Sequence, residues 1–256
     1  MIKIHDLCFS YYNQQIINGI SAEFKKGEIC SILGRNGCGK TTFLKLVARL
    51  LSPESGSIYI NNNDINTFER KSFAKLVAYL PQVMNTSSIS VSELVSHGRF
   101  PYMGFSRSLN DLDKEKINSA ISLTNLDSLR RKNIQNLSGG ERRRAYIAML
   151  LAQDTEYMLL DEPSAYLDIS YKYEIMELLK KMKQKQKSII TVLHDIDIAL
   201  KYSDKIMIID DGNLLFFGTP DDAIASNMIK KAFDVECLKI EVSGQSEYIY
   251  QPLKKS

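Results

Sequence analysis

The chain has 256 residues, enough to bury a sizeable core as one large domain or as a domain with an insertion. Its hydrophobic share of 44% and charged share of 25% are ordinary for a globular protein, and a net charge of +3 is too small to argue for nucleic acid. No run approaches the roughly 20 apolar residues of a membrane-spanning helix, Met1-Ile2-Lys3 opens no signal-peptide pattern, and Cys8, Cys30, Cys38 and Cys237 show no CxxC or metal-ligand spacing, which suits a reducing cytoplasm.

Ile2, Ile4, Leu7 and Phe9 mark a half-buried first strand, and Ile16, Ile17 and Ile20 begin another after the polar turn Asn13-Gln14-Gln15. Tyr11 and Tyr12 lie between them. A tyrosine there suits stacking on an adenine ring and equally suits packing at a sheet edge. The run Ile29-Cys30-Ser31-Ile32-Leu33 then reads as a buried strand, and Phe43, Val47 and Leu50 recur at helical spacing.

Between that strand and helix, Gly34-Arg35-Asn36-Gly37-Cys38-Gly39-Lys40-Thr41 fits G-x-x-x-x-G-K-[ST], with Thr42 following. Glycines let backbone N–H groups crowd around a phosphate without Cβ clashes, forming an anion-binding concavity at a helix N-terminus. Lys40 supplies a mobile charge for the β- and γ-phosphates, and the Thr41 hydroxyl suits Mg²⁺. Cys38 sits inside the cradle, where helix-end and lysine charges are expected to lower its thiol pKa.

After Ser52-Pro53-Glu54-Ser55-Gly56, Ile58 and Ile60 form a short strand. Leu76-Val77-Ala78-Tyr79-Leu80 is a buried strand ending at Pro81-Gln82, which puts Gln82 where α/β proteins place ligand-facing groups, although most strand-end glutamines are simply solvated. From about Val83 to Ala152 the texture turns helical, as in a subdomain inserted into an α/β core. Ser90 and Glu93 form a capping box, Gly98-Arg99-Phe100-Pro101-Tyr102 ends that helix, and another runs from about Leu112 to Thr124. Leu137-Ser138-Gly139-Gly140-Glu141 opens a further helix with Ser138 as N-cap and Glu141 at the capping-box position. Two glycines there cost ~1 kcal/mol each as helix formers but bare backbone N–H groups for an anion. Arg142, Arg143 and Arg144 read as surface and contact residues.

Tyr157-Met158-Leu159-Leu160-Asp161-Glu162 is an apolar strand ending in two carboxylates. Acids closing a buried strand need partners, and side-chain alternation lets one face a metal and the next an attacking water. Tyr171 to Lys187 reads as a helix with Ile175, Leu178, Leu179 and Met182 inward and its lysines solvated. Ile189-Ile190-Thr191-Val192-Leu193 is a core strand with His194 at its end, whereas His5 and His97 take the structural reading that a lone histidine usually deserves. Leu33, Gln82, Glu162 and His194 thus share the C-terminal edge of a parallel sheet. Asp211-Gly212 signals a hairpin, and the tail from Thr219 alternates short helical and extended pieces.

With these stations in order, residues 1 to about 220 resemble the ATP-binding cassette (ABC) family. Beside the phosphate loop, Gln82 matches the Q-loop, Leu137–Glu141 the signature, Leu159-Leu160-Asp161-Glu162 Walker B, Asp168 the D-loop and His194 the switch histidine. Tyr11 is the better match to the aromatic loop, with Tyr12 the runner-up. The sequence departs from the family at Glu141, where Gln is usual, and at Ala165-Tyr166-Leu167-Asp168, where Ser-Ala-Leu-Asp is usual. The latter form, with Gly98–Tyr102 and Val192-Leu193-His194-Asp195-Ile196-Asp197, is similar to importers of iron complexes and vitamin B12.

The resemblance implies a P-loop NTPase (RecA-like) α/β core at 1–82 and 153–220 with an N-terminal antiparallel β subdomain, an inserted helical signature subdomain at 83–152, and a C-terminal extension at 221–256. It implies ATP and Mg²⁺, a homodimer sandwiching ATP between the phosphate loop of one copy and Ser138-Gly139-Gly140 of the other, and a separate integral-membrane permease fed by a substrate-binding protein. Asp161, Gln82 and Thr41 are then the metal-side residues, Glu162 the general base and His194 a γ-phosphate contact, on the cytoplasmic face of a membrane. The cargo implied is a ferric siderophore, haem or cobalamin. The contrasting expectation is an ABC ATPase uncoupled from transport, of the iron–sulfur assembly type.

Overall fold

Alternation of apolar residues builds the first layer. In the computed structural model, which describes residues 1–84, 87–104, 108–164, 168–242 and 244–253 (at 245 the backbone alone), β1 (Ile2–Tyr11) and β2 (Gln14–Phe24) pair antiparallel. Ile2, Ile4, Leu7 and Phe9 from one strand and Ile17, Ile20 and Phe24 from the other are buried. β3 (Ile29–Leu33) is buried at every residue and leads into α1 (Lys40–Val47). β4 (Ser55–Ile60) and β5 (Asn63–Asp64) complete an antiparallel sheet of order β2-β1-β4-β5. The first helix is shorter than its apolar spacing predicts. Arg49 adopts φ 56°, the left-handed conformation that ends helices, so Leu50 falls outside and is 58% exposed.

The chain divides into two units, Met1–Thr67 with Ser188–Ser256, and Phe68–Lys187. In the second, α2 (Arg70–Leu76) takes Leu76, which the sequence reading assigned to the following strand, and β6 begins at Val77 (Val77–Leu80). α3 (Val91–Ser96) opens with the expected Ser90–Glu93 capping box, then a 3₁₀ turn spans His97–Tyr102. α4 (Asp111–Leu123) carries a further capping box from Asn110 and Asp113. α5 (Gly139–Gln153), β7 (Tyr157–Asp161) and α6 (Ile169–Gln184) follow. Ile175, Met176, Leu179 and Met182 are the buried residues of α6, with Leu178 half-buried. β6 and β7 pair in parallel, Leu80 opposite Leu160. Beneath α4, the buried Arg99 donates from Nε to Asp113 Oδ1 at 2.8 Å and from Nη1 to Ala152 O at 2.8 Å, its guanidinium 3.7 Å from the Tyr102 ring centre.

Returning to the first unit, β8 (Ser188–Val192) is followed by α7 (Ile196–Tyr202), β9 (Lys205–Asp210) and β10 (Asn213–Gly218). These give the order β10-β9-β3-β8, with β3 parallel to both β8 and β9. Asp211 and Gly212 turn the β9–β10 hairpin with φ of 43° and 75°, the positive pair that such two-residue turns need. The tail forms α8 (Pro220–Ala225), α9 (Met228–Phe233) and an antiparallel pair, β11 (Val235–Val242) and β12 (Gln245–Pro252). Among the described residues, no helix is long and apolar enough to cross a membrane.

Candidate nucleotide site

In the first unit the loop between β3 and α1 has the backbone its glycines predict. A Cβ on Gly34 (φ +154°) would stand 2.2 Å from Ile209 O, and one on Gly39 (φ +104°) 2.8 Å from Ile16 O, so neither position has room for a side chain. Gly39 is the N-cap of α1, and no side chain there accepts from the first backbone N–H groups of the helix, the donors that favour an anion. Lys40 is buried and curls back over the loop, donating from Nζ to Gly34 O and Arg35 O at 2.8 Å each. Thr42 is buried and Thr41 half-buried. Asn36 and Gly37 are exposed at the loop tip, and so is Arg35, whose side chain turns away to Ala232 O (3.1 Å) and Asp234 (2.5 Å). The Arg35 side chain is thus turned away from the loop, and its backbone carbonyl holds Lys40.

Cys38 corrects one expectation. Burial pushes its thiol up, and this outweighs the opposing charge of Lys40, whose Nζ is 3.9 Å from Sγ but is committed to two carbonyls. The thiol is buried, with its pKa raised where a lowered one was expected.

At the same strand edge, Ile32 pairs with Val192, and two residues further along their strands stand Gly34 and His194. His194 is exposed. Tyr11 ends β1, packs edge-on against Phe9 at 4.8 Å between ring centres, and keeps 40% of its surface exposed, while Tyr12 occupies the hairpin turn fully exposed.

In the second unit the parallel register Leu80↔Leu160 brings Gln82 level with Glu162, and Gln82 Nε2 donates to Glu162 Oε2 at 2.7 Å. Asp161, the last residue of β7, is buried and accepts from the Tyr79 hydroxyl at 3.4 Å. Glu162 has φ +49°, a left-handed backbone at a residue with a side chain. The residue that sequence reasoning missed is Arg143. Placed among surface arginines, it is 4% exposed, and its guanidinium donates to the carbonyls of Pro163 (2.8 Å), Gln82 (3.1 Å), Asp161 (3.0 Å), Pro81 (3.3 Å) and Glu162. Helical spacing carries the signal, because Arg143 shares a stripe with buried Tyr146, Ile147 and Leu150.

Ser138 and Glu141 form the expected reciprocal cap. Ser138 Oγ accepts from Glu141 N at 3.2 Å, and Glu141 Oε2 accepts from Ser138 N at 2.8 Å, a bond that holds the Glu141 carboxyl below its ordinary range. The two glycines differ. A Cβ on Gly140 would touch the Tyr171 ring at 3.4 Å, but among the described residues outside the helix backbone nothing lies within 4 Å of one on Gly139. Asp168 caps α6 through Tyr171 N at 3.2 Å, while the Ala165-Tyr166-Leu167 departure lies outside the described residues. Taken unit by unit, the Thr41 hydroxyl in the first and the Gln82 amide and Asp161 carboxylate in the second are hard oxygen donors, the class that suits Mg²⁺. Among the described residues there is no cluster of three or more His, Cys, Asp or Glu able to hold a metal.

The α/β fold with this loop defines a P-loop nucleotide triphosphatase. A family model described as ABC transporter matches residues 17–165. The chain is 37% identical to the petrobactin import ATP-binding protein FpuD of Bacillus anthracis, across 90% of this chain and 85% of that one. It is 36% identical to the iron(3+)-hydroxamate import ATP-binding protein FhuC of Bacillus subtilis, across 92% and 88%. Among solved structures it is similar to the dimeric MJ0796, a bacterial ABC transporter cassette, with TM-score 0.76 and 25% identity over 86% of this chain and 99% of that one. The chain belongs to the ABC transporter family, among its ATP-hydrolysing subunits.

Proposed function

We propose that this chain powers an importer for an iron–siderophore, haem or cobalamin-type substrate, acting as a head-to-tail pair of copies on the cytoplasmic face of a membrane beneath a separate permease. The observation that carries the pairing is Gly139. Among the described residues outside its own helix backbone nothing lies within 4 Å of a Cβ there, so a glycine at this helix start suits something that approaches from outside. The iron-complex assignment is supported by relatives named for petrobactin and iron(3+)-hydroxamate import.

In this reading residues 1–82 and 153–220 form the nucleotide-binding core, 83–152 the signature subdomain and 221–256 an extension. Gly34 to Thr42 cradle the phosphates with Lys40 as the cation, and Tyr11 stacks on adenine. Ser138, Gly139, Gly140 and Glu141 face the γ-phosphate of the partner copy's ATP, where the positive end of α5 favours negative charge, and Asp168 lines the same junction. Thr41, Asp161 and Gln82 would hold Mg²⁺, which neutralises charge on the β- and γ-phosphates when bound. Glu162 takes a proton from water as its oxygen attacks the γ-phosphorus and the bond to the β-phosphate oxygen breaks, releasing ADP and phosphate; His194 orients the γ-phosphate. General-base assistance of this kind supplies ~10²–10⁴-fold.

The test is purification of the tagged chain from detergent-solubilised membranes. Recovery with a polytopic permease, and ATPase stimulation by a substrate-binding protein loaded with a ferric siderophore, haem or cobalamin, is the expected result. A purely soluble complex would overturn the importer in favour of an ABC ATPase uncoupled from transport.

A further inference from the structure

A buried arginine reaches across the second-unit site. Arg143 sits on α5, one turn beyond the Ser138 cap, and its three nitrogens all point at main-chain carbonyls. Nε serves Pro163; Nη1 serves Pro81 and Gln82 and lies 3.7 Å from Met84 Sδ; Nη2 serves Asp161 and Glu162. One buried guanidinium thus ties the chain leaving β6 to the chain leaving β7, on either side of the Gln82–Glu162 hydrogen bond.

We infer that Arg143 is a positioning residue that fixes the backbone of Gln82 and Glu162, so that the Glu162 carboxylate is held where it activates water. The inference rests on the base assignment for Glu162 made above. Three arguments support it. The acceptors are carbonyls and not carboxylates, so the pattern fixes backbone position instead of neutralising a charge. Glu162 is held at φ +49°, a conformation that is strained for a residue with a side chain, and its own carbonyl is among those that Nη2 grips. The geometry also demands a planar fork. A lysine ammonium is a point charge with three donors and cannot reach carbonyls disposed around a plane. Burial lowers the Arg143 pKa to about 10, opposed by the charges of Asp161 and Glu162, so the group remains a cation at neutral pH.

The consequence is a link within one copy. The helix that begins at Ser138 also sets the strand ends carrying Gln82 and Glu162, so displacement of α5 on approach of a partner copy is felt by the base.

Arg143→Lys, with Arg143→Met as a neutral variant of similar length, tests this in the purified full chain. Turnover and KM for ATP, ATP affinity by calorimetry and thermal midpoint are measured for each. The expected result for Arg143→Lys is a fall of roughly 10- to 100-fold in kcat, the scale of a 1 Å misplacement, with ATP affinity unchanged. Placed on Glu162→Gln, Arg143→Lys should remove no further turnover, because residues acting as a unit are not additive. Three results would overturn the inference: wild-type kcat in Arg143→Lys, parallel loss of affinity and turnover, or a full additional loss in the double variant. Near-wild-type turnover of Glu162→Gln alone would instead overturn the base assignment, so the two failures are distinct.

Discussion

Gln82 donates its side-chain amide to the Glu162 carboxylate across 2.7 Å, and each stands two residues beyond the paired Leu80 and Leu160. The contact follows from parallel register, since strands in step end in step and bring the residues after them to one level. A hydrogen bond to a charged group contributes ~1.5–3 kcal/mol. Gln82→Ala is therefore expected to lower kcat roughly 10- to 100-fold by freeing the carboxylate, with ATP affinity unchanged by calorimetry. Unaltered kcat would remove Gln82 from the chemistry.

The loop glycines should rank by the space around them. Gly34→Ala forces a Cβ to 2.2 Å from the Ile209 carbonyl, a backbone atom held in a sheet, whereas Gly37→Ala meets nothing within 4 Å among the described residues and bears only the strain of φ +82°. Overpacking costs ~1–3 kcal/mol and a left-handed alanine ~1–2 kcal/mol. Gly34→Ala, which carries both, is expected to be the less stable in denaturant titration and to lose ATP binding. A Gly37→Ala protein less stable than Gly34→Ala would contradict the packing argument.

Two arginine–aspartate pairs make a controlled comparison. Arg99–Asp113 is buried at 3% and 2% side-chain exposure, while Arg35–Asp234 lies open at 58% and 72%. Removing one partner of a buried pair costs ~3–5 kcal/mol because the other is stranded without water, whereas an exposed pair contributes ~0–1 kcal/mol. Asp113→Ala should destabilise the protein strongly, and Asp234→Asn, which removes the charge but tolerates the left-handed φ of 58° there, barely, read as shifts in denaturation midpoint. Equal effects would refute the burial argument.

Asp154 predicts an acid-labile contact. Burial alone would raise its pKa, but hydrogen bonds from Lys116 and Lys187, with their charges, bring it below the ordinary aspartate range. The stabilisation is then complete above the unfolded pKa of about 4 and is lost as pH falls through the lower folded value. Asp154 also ends α5 in the left-handed conformation, which asparagine tolerates. Asp154→Asn should leave the backbone intact and flatten the fall in thermal midpoint below about pH 4; an unchanged acid limb would contradict the assignment.

Much of the site is legible in the sequence because its signals are local. The glycine loop needs positive φ, Ser138 and Glu141 cap each other three residues apart, and Asp211-Gly212 turns its own hairpin. The gaps arise where tertiary contacts override local character. Three consecutive arginines look like surface, yet the helical period turns Arg143 alone onto the stripe of Tyr146, Ile147 and Leu150. Leu50 and Leu76 fit the apolar patterns that misplaced them, and what decides each is where the backbone changes conformation, at Arg49 and after Leu76. Cys38 looked activated because Lys40 is two residues away, but enclosure of the sulfur dominates and the ammonium is satisfied elsewhere.

We have proposed the phosphate loop as half of a site completed by a second copy, with Glu162 as base. Glu162→Gln keeps an oxygen to accept from Gln82 and loses only the proton acceptor. Light scattering with Mg²⁺-ATP, beside a turnover assay, tests both parts together. An ATP-dependent doubling of mass is expected in Glu162→Gln, with a fall in turnover of ~10²–10⁴-fold. A protein that stays monomeric with saturating ATP, or that turns over like wild type, would contradict it.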